Sequence, residues 1–466
     1  MGAQTSTGEQ GHDAAVRQLA AVLHRALRAE SGAGPREARF RDDTQAVRQA
    51  DWCVALPPSL ARQQVTLLVP AGDATALVRG LASGADTVLL DFDDTFAPSL
   101  QNLRHGWAHL ATLSVRQPGM ALIMVRPRPA WLQDQTVYVD GEPACAAAVD
   151  VAYYLTAVAS HGSAWLYLPK VATMEEACAW DQALTAAEQA LAWQPNAVRV
   201  IVQIECLSAI FQADEILWAL RNRALGLNAG RWDYCASVIR SLGRVLPPLP
   251  ARDQLTSQTP FLAAYLRQLT RVCQRRKALA IGGVANLATD ERARAVLAEK
   301  QWEAQLGFHG AWAGHPEAVP LVRQAYHAVT SMVPAVPAAR GDESTIAQQL
   351  CTLPTIASLP VAALQRALNK LAAWLRAWQA GNALVVHDGE FEDLSTAEVT
   401  RAQLWQWRWH RVQLDDGDWL TEERFQTECQ SVGDAALSRL LAELTADTAI
   451  DHPLPSLVPP GEGALT

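Results

Sequence analysis

Two acidic residues in the middle of the chain each follow a short apolar run of the kind that forms a buried strand. Glu205 closes R-V-I-V-Q-I-E, and Asp233 lies in G-L-N-A-G-R-W-D-Y. In a parallel barrel, such residues lie at the carboxyl ends of the strands, where the active-site groups of these folds gather. Two carboxylates at one mouth can bind a hard cation such as Mg²⁺ or share a proton. We therefore predict a metal site formed by Glu205 and Asp233, with loop capping as the structural alternative for each residue.

Three further acids follow an earlier apolar run. Asp91, Asp93 and Asp94 form the segment D-F-D-D. They could support a metal site by contacting its ligands from outside, or they could anchor neighbouring loops by hydrogen bonds. The sequence leaves both interpretations open.

Arg126 ends another apolar run and is followed by P-R-P. A guanidinium that faces two carboxylates and a cation suits a substrate carboxylate or a developing alkoxide. A structural ion pair is the alternative for Arg126, and Arg128 competes for the same functional role.

Glycine and one distant acid complete the candidate site. Gly230 would let backbone amides approach an anionic oxygen closely, and the pair Gly282–Gly283 indicates either room for a ligand or a sharp turn. Asp393 lies in H-D-G-E-F-E-D-L-S-T-A-E, and its spacing alone predicts an acid at the N-terminus of a helix.

Eight apolar runs that alternate with helical patterns would position these residues. They lie at 65–70, 87–92, 121–126, 164–169, 198–205, 224–228, 278–283 and 310–315. Runs without polar alternation are typical of strands that are buried on both faces. Eight strand–helix repeats favour an α/β fold with a closed (β/α)8 TIM barrel over an open sheet. The eighth run has the weakest pattern.

Helical segments flank the predicted barrel. The N-terminal segment 1–61 contains an amphipathic helix at 14–30, and the barrel is predicted over 62–335. A Pro/Ala-rich linker at 333–340 leads to a helical domain over 336–466 that carries Asp393. An apolar stripe in that domain is formed by Leu364, Leu368, Leu371, Leu375 and Trp378.

Composition excludes several classes of protein. The chain has 466 residues and a net charge of -9, which argues against nucleic-acid binding. No apolar run is long enough to span a membrane. The eight cysteines contain no C-x-x-C pair, which is typical of free thiols in a reducing compartment. We therefore expect a cytoplasmic enzyme that has no membrane or nucleic-acid partner.

Several motifs together resemble the malate synthase family in its shorter A form. They include D-T-V-L-L-D-F-D-D-T-F-A-P-S-L, V-R-P-R, Y-L-P-K, G-L-N-A-G-R-W-D-Y, I-G-G-V-A and F-E-D-L-S-T-A-E-V-T-R, in family order over about residues 15–440. The resemblance implies a Mg²⁺-dependent acyltransferase that condenses acetyl-CoA with glyoxylate and hydrolyses the thioester, giving malate and CoA.

The resemblance also implies a role for each candidate residue. Arg126 would hold and polarise glyoxylate, and Glu205 and Asp233 would bind Mg²⁺. The backbone at Gly230, Arg231 and Trp232 would contact the oxygens of the acceptor. Asp393 would be the base that removes a proton from the acetyl methyl group.

The chain departs from the family pattern in places. The family reads H-D-G-T-W-x-A-H-P where this chain has F-H-G-A-W-A-G-H-P, which alters Phe308, His309, Ala311 and Gly314. These changes keep three alternatives open: a condensing enzyme that uses another 2-oxo acid or a carrier-bound acyl thioester, a lyase of the malyl- or citryl-CoA type, and a non-catalytic homologue. The segment that carries Asp393 favours the synthase over the lyase.

Overall fold

Eight parallel strands form a closed barrel, and each of the eight predicted strands is confirmed. The computed structural model describes residues 3–29, 34, 36–57, 60, 63–112, 121–286, 292–330 and 342–461, so the predicted linker at 333–340 lies outside the described residues. Barrel strands that follow one another in the chain are neighbours, and the last pairs with the first. They are β1 (Val65–Pro70), β2 (Thr87–Asp91), β3 (Leu122–Arg126), β6 (Ala164–Leu168), β7 (Val198–Ile204), β8 (Ala224–Ala229), β9 (Leu279–Ala285) and β10 (Gly310–Ala313).

Two antiparallel hairpins interrupt this pattern. The first, β4 (Gln133–Val139) and β5 (Glu142–Cys145), follows β3. The second, β11 (Val385–His387) and β12 (Glu390–Glu392), immediately precedes the segment that carries Asp393.

Helices surround the barrel and form the C-terminal part of the chain. The first twelve are α1 (Ala3–Ala29), α2 (Gln45–Gln49), α3 (Ala74–Leu81), α4 (Leu100–Thr112), α5 (Ala146–Ala157), α6 (Met174–Ala190), α7 (Leu207–Phe211), α8 (Ala213–Ala219), α9 (Arg231–Leu242), α10 (Pro260–Arg276), α11 (Ala293–Leu306) and α12 (Val319–Thr330). The remaining six are α13 (Glu343–Cys351), α14 (Val361–Gln379), α15 (Leu394–Trp409), α16 (Glu422–Gln430), α17 (Ala435–Leu444) and α18 (Leu454–Leu457).

Both faces of the barrel strands are buried, which explains why the apolar runs lack alternation. Successive side chains of a strand point to opposite faces. Leu89 and Met124 belong to a cluster inside the barrel, whereas Leu90 and Val125 belong to the layer between the strands and the helices. The inner cluster also contains Trp312 of the short strand β10, so the weakest predicted strand contributes one of its largest side chains.

The C-terminal helices have an apolar core of their own. The predicted stripe on α14 is fully buried there, together with Leu404 and Trp407 of α15. The other face of α15 contacts the barrel, because Val399, Ala402 and Trp405 belong to the outer layer of the barrel. Helix α15 therefore connects the two parts of the molecule. None of the described helices is long and apolar enough to cross a membrane.

Candidate active site

Strand alternation directs polar side chains into the mouth of the barrel. Leu89 and Met124 point inward, so Asp91 and Arg126, two residues further along each strand, point inward as well. Asp91 and Arg126 are also register partners on the neighbouring strands β2 and β3. On β7, Ile201 belongs to the inner cluster. The same two-residue alternation directs Gln203 and Glu205 inward as well, closer to the carboxyl end of the strand. Strand alternation thus explains why Asp91, Arg126 and Gln203 meet at the carboxyl end of the barrel.

Arg126 is buried at the centre of this mouth. Its Nε and one terminal nitrogen donate to the two oxygens of Asp91 at 2.6 and 2.7 Å, and the other terminal nitrogen donates to Asp94 at 2.9 Å and Gln203 at 3.0 Å. Burial opposes its charge, but the adjacent aspartates raise its pKa well above the ordinary value. These four bonds use four of the five N–H groups of a guanidinium, so one N–H is left for a ligand.

Arg128 has a different role from Arg126. Its guanidinium donates to Asp150 at 2.7 and 2.9 Å and to Asp134 at 2.7 Å, and all three side chains are buried. The backbone N–H of Arg128 also donates to Asp150. This arrangement ties the loop after β3 to β4 and α5, so we assign Arg128 to the structural alternative.

Three carboxylates form a cluster that suits a cation. One oxygen each from Asp94, Glu205 and Asp233 lie within 4.8 Å of one another, and all three residues are buried. Burial, together with the neighbouring carboxylates, raises the pKa of Glu205 and Asp233. Burial acts in the same sense on Asp94, but Lys170 and Arg126 outweigh it and hold the pKa of Asp94 below its ordinary value. Oxygen ligands of this kind are those that Mg²⁺ binds in proteins.

The three acids of the D-F-D-D segment have separate environments. Asp91 anchors the loop, because it accepts hydrogen bonds from the backbone N–H groups of Asp93 and Thr95 in addition to Arg126. Asp94 joins the carboxylate cluster. Asp93 is buried, and neither of its carboxylate oxygens has a hydrogen-bond partner. Burial, and next the charge of Asp94, raises the pKa of Asp93 well above its ordinary value.

Lys170 was missed by the sequence reasoning and contacts the whole cluster. Its Nζ lies 2.8 Å from Asp233, 3.1 Å from Asp94 and 3.4 Å from Glu205. Its backbone has a left-handed conformation, with φ at 58°, and its N–H donates to Glu205 at 2.6 Å. The motif Y-L-P-K after β6 was the available signal, because a lysine at the end of a barrel strand reaches the same mouth as the acids.

Gly230 is needed for the approach of α9 to the cluster. A Cβ at this position would lie 2.7 Å from Cβ of Glu205. Helix α9 begins at Arg231, and the first amides of a helix have no partner within the helix, so they are available to an anionic oxygen. The side chain of Arg231 itself pairs with Glu299 at 3.1 Å, whereas Trp232 lines the cavity above the cluster.

Asp393 reaches this cavity from the C-terminal part of the chain. It is the N-cap of α15, and its Oδ1 accepts hydrogen bonds from the backbone N–H of Thr396 at 2.9 Å and from Ser395 Oγ at 2.7 Å. The next residue, Leu394, donates its N–H to the carbonyl oxygen of Asp94 at 3.0 Å. Burial, and next the charge of Asp94, raises the pKa of Asp393 to about 7.

One cavity therefore brings the predicted residues together. Its lining includes Asp94, Arg126, Gly230–Asp233, Gly283 and Asp393. Glu205 is not part of this lining but contacts the cavity through its neighbours Asp94 and Asp233 in the cluster. Asp93 lines an adjacent cavity that Lys170 and Asp233 also line. The paired glycines Gly282 and Gly283 differ in the space around them. A Cβ at Gly282 would collide with Glu303, whereas a Cβ at Gly283 would meet nothing closer than 3.7 Å.

The altered residues near β10 differ in their distance from the cavity: some lie away from it and one lines it. His309 precedes β10, at the amino end of the barrel, where its backbone and ring bond the backbone of Ala280 at 2.8 and 3.0 Å. Phe308 is buried in the outer layer. Gly314 follows β10 and lines the cavity. Of these departures, the one at Gly314 bears on the site.

Comparisons with known proteins point to one family. The family model "Malate synthase, TIM barrel domain" matches residues 122–352, and "Malate synthase, C-terminal" matches residues 360–438. The chain is 32% identical over 415 residues to a glyoxysomal malate synthase of Zea mays, covering 81% of this chain and 74% of that protein. It is 33% identical over 428 residues to the malate synthase of Streptomyces clavuligerus, covering 83% and 78%. Malate synthase A of Escherichia coli is 29% identical over 419 residues, covering 83% and 78%.

A solved structure has the same fold. The Haloferax volcanii malate synthase, in a pyruvate/acetyl-CoA ternary complex, aligns with a TM-score of 0.50 and 14% identity, covering 84% of this chain and 98% of that one.

Proposed function

Because the chain belongs to the malate synthase family, we propose that it condenses acetyl-CoA with glyoxylate and releases malate and CoA. The observation that carries the proposal is the shared cavity: Asp393 comes from the C-terminal part, and Arg126 and two acids of the cluster, Asp94 and Asp233, come from the barrel domain. A base, an electrophile-binding group and a cation site are the three components that this reaction requires.

The cytoplasmic location and the division of the chain at 61 and 335 stay predictions.

We propose that Mg²⁺ is held by Glu205 and Asp233, with Asp94 as a third ligand. The fit rests on three buried carboxylates with oxygens within 4.8 Å of one another. When bound there, the cation would make the acceptor carbonyl more electrophilic and balance alkoxide charge. Asp94 was predicted only as a supporting acid, and its position in the cluster gives it a more direct role.

Asp393 would remove the methyl proton of acetyl-CoA. Oδ1 is occupied by its bonds to Thr396 and Ser395, which leaves Oδ2 to take the proton. A carboxyl with a pKa of about 7 is a stronger base than an ordinary aspartate and is still largely ionised slightly above neutral pH. The burial that raises this pKa therefore supports proton transfer from a weak carbon acid.

Arg126 would bind and polarise the acceptor, and its charge would also stabilise a nearby enolate oxygen. Its bonds to Asp91, Asp94 and Gln203 fix the guanidinium, so its remaining N–H is preorganised. The backbone between Gly230 and Trp232 would contact the oxygens of the acceptor. Holding both substrates in one cavity supplies an entropic advantage of up to ~7–11 kcal/mol in ideal systems.

The two substrates are then joined in two chemical stages. The methylene carbon of the acetyl thioester attacks the aldehyde carbon of glyoxylate, and the new alkoxide takes a proton to give malyl-CoA. Water then adds to the thioester carbonyl, the C–S bond breaks, and CoA leaves with a proton. Thioester hydrolysis makes the overall reaction effectively irreversible.

A larger 2-oxo acid is the second candidate acceptor. Gly283 leaves space along the wall of the cavity, because a Cβ there would meet nothing closer than 3.7 Å, whereas a Cβ at Gly314 would lie in tight contact with Val284 at 3.2 Å. A carrier-bound acyl group would require the same base and cation. A lyase would cleave malyl-CoA without thioester hydrolysis, and the position of Asp393 in the cavity favours condensation.

Product analysis tests these alternatives. Acetyl-CoA is incubated with Mg²⁺ and either glyoxylate, pyruvate or 2-oxobutyrate, and products are identified by mass spectrometry. Malate formed with free CoA supports the proposal. Turnover with pyruvate or 2-oxobutyrate but not glyoxylate selects the second candidate. Cleavage of malyl-CoA without hydrolysis selects the lyase, and the absence of metal-dependent glyoxylate binding by calorimetry indicates a non-catalytic protein.

A further inference from the structure

Lys170 occupies the space among the carboxylates that would hold the cation. We propose that its ammonium group is a built-in competitor for Mg²⁺: it fills the cluster of Asp94, Glu205 and Asp233 without metal, and it moves to Asp93 when metal binds. The inference rests on the proposed function only in that this cluster binds Mg²⁺.

The contacts of Lys170 define the first of its two positions. Its Nζ lies 2.8–3.4 Å from one oxygen of each of the three carboxylates. The backbone N–H of Lys170 is held separately by Glu205 at 2.6 Å. The backbone therefore stays in place when the end of the side chain moves, and only the ammonium group has to be displaced.

Electrostatics favour a cation in the cluster whenever its carboxylates are ionised. Three buried carboxylates without a positive partner would carry a large desolvation cost. Among the described residues, two cationic side chains contact Asp94, those of Lys170 and Arg126. Of these two, only Lys170 also contacts Glu205 and Asp233. With a divalent ion among the same oxygens, the ammonium would face a like charge at short range, so the two cations exclude each other.

Asp93 provides the second position. It is buried, both of its oxygens lack a hydrogen-bond partner, and Oδ2 lies 3.7 Å from Nζ of Lys170 and 3.7 Å from a terminal nitrogen of Arg126. Arg126 is fixed by its bonds to Asp91, Asp94 and Gln203, so Lys170 is the partner that can move closer. A buried carboxylate without a hydrogen bond is rare and requires an explanation. A movement of Nζ by about 1 Å would form an ordinary charge-assisted hydrogen bond. Lys170 and Asp93 both line the adjacent cavity, which gives the side chain room to move.

A permanent structural ion pair is the competing explanation. It accounts for the contacts of Lys170 with the cluster, but it leaves Asp93 with ion-pair contacts of 3.7 Å to Arg126 and Lys170 and without a hydrogen bond in every state. The two-position explanation accounts for both observations, and it makes opposite predictions for the removal of Lys170 and of Asp93.

Mg²⁺ calorimetry on the full chain at pH 8 tests the proposal, with melting temperatures in EDTA and in Mg²⁺ as a second readout. The variants are Lys170→Met, Lys170→Gln, Asp93→Asn and the double variant Lys170→Met/Asp93→Asn. Lys277→Met is the matched control, because Lys277 is an exposed lysine whose φ of 55° is close to that of Lys170.

We expect Lys170→Met and Lys170→Gln to bind Mg²⁺ at least tenfold more tightly than the wild type. Both should melt at a lower temperature in EDTA and gain more from Mg²⁺, because Glu205 and Asp233 then lose the cation that contacts them. Asp93→Asn should weaken binding at least tenfold, but only while Lys170 is present. Lys277→Met should match the wild type.

Unchanged or weaker Mg²⁺ binding in both Lys170 variants would overturn the proposal. So would an Asp93→Asn effect of equal size in the Lys170→Met background, since Asp93 would then act without Lys170. A wild type that binds no Mg²⁺ contradicts the metal site of the proposed function. If the wild type binds no Mg²⁺ but the Lys170 variants do, the proposal that Lys170 competes with Mg²⁺ is still supported. If the Lys170 variants bind no Mg²⁺ either, that proposal is overturned as well.

Discussion

Asp393→Asn should abolish proton abstraction and at the same time stabilise the folded protein. Asparagine is as good an N-cap as aspartate, so the bond from the N–H of Thr396 and the start of α15 should be kept. What the substitution removes is the charge and the basicity. The two effects of Asp393→Asn therefore have one origin, a carboxylate held in a poorly solvated cavity.

The size of each effect follows from the pKa of Asp393. Loss of a general base costs about 10²–10⁴ in rate. The pKa is about 7 in the folded chain, compared with an ordinary value of 3.8. At 1.36 kcal/mol for each pH unit, ionised Asp393 destabilises the fold by up to ~4 kcal/mol. A raised carboxyl pKa means that this cost is absent below about pH 4, grows up to about pH 7 and is constant above it.

Two measurements on Asp393→Asn follow these effects. Loss of protium from the methyl group of acetyl-CoA in D₂O, observed by NMR, reports proton abstraction without the later steps. Melting temperatures in EDTA at pH 8 and at pH 4 report stability. We expect almost no exchange, a higher melting temperature than wild type at pH 8, and a much smaller difference at pH 4.

The chain offers a matched control in Asp434, which caps α17 and accepts hydrogen bonds from the N–H groups of Ala436 and Leu437. Its pKa is lowered, mainly by these backbone bonds, so its charge favours the fold. Asp434→Asn should exchange protons normally and should not be stabilised at pH 8. Normal exchange in Asp393→Asn would place the base elsewhere. An unchanged melting temperature at pH 8 would refute the argument that burial raises the pKa of Asp393.

Three other predictions concern neighbouring residues. Ser395→Ala removes a hydrogen bond that lowers the pKa of Asp393, so the acid limb of kcat/KM near pH 7 should move up by about one unit, as measured by a pH–rate profile. Gly230→Ala places a Cβ 2.7 Å from Cβ of Glu205 and should weaken Mg²⁺ binding at least tenfold by calorimetry, whereas Gly283→Ala has room and should leave it unchanged. Arg128→Gln leaves two buried aspartates unpaired and should lower stability by ~3–5 kcal/mol in denaturant unfolding, and a smaller loss would contradict its structural assignment.

The barrel could be predicted from the sequence because strands buried on both faces have a simple pattern. All eight strands lie where the apolar runs placed them, including β10, whose four residues are too few for a strong signal. The helix that carries Asp393 also begins where an N-terminal acid was expected. In each case the relevant physics is local: strand burial, strand alternation or helix capping.

The roles within the site could not be predicted in the same way. Asp91, Asp93 and Asp94 have the same side chain within four positions, yet one anchors a loop, one has no hydrogen-bond partner and one joins the cluster. Those differences depend on the turn after β2, which the sequence does not specify. Lys170 was missed because its side chain reaches the cluster from a left-handed backbone position that is unusual for lysine.

The bond from the N–H of Leu394 to the carbonyl oxygen of Asp94 links the helix of Asp393 to the barrel through backbone atoms alone. Almost any side chain at 394 would preserve it, and only an imino acid would remove it. Proline is ordinarily favoured at the first position of a helix, where its missing hydrogen matters least. Here that residue would be tolerated by the helix and yet would release Asp393 from the barrel mouth. The burial of Leu394 favours an apolar side chain at this position, and the backbone bond additionally excludes proline from it.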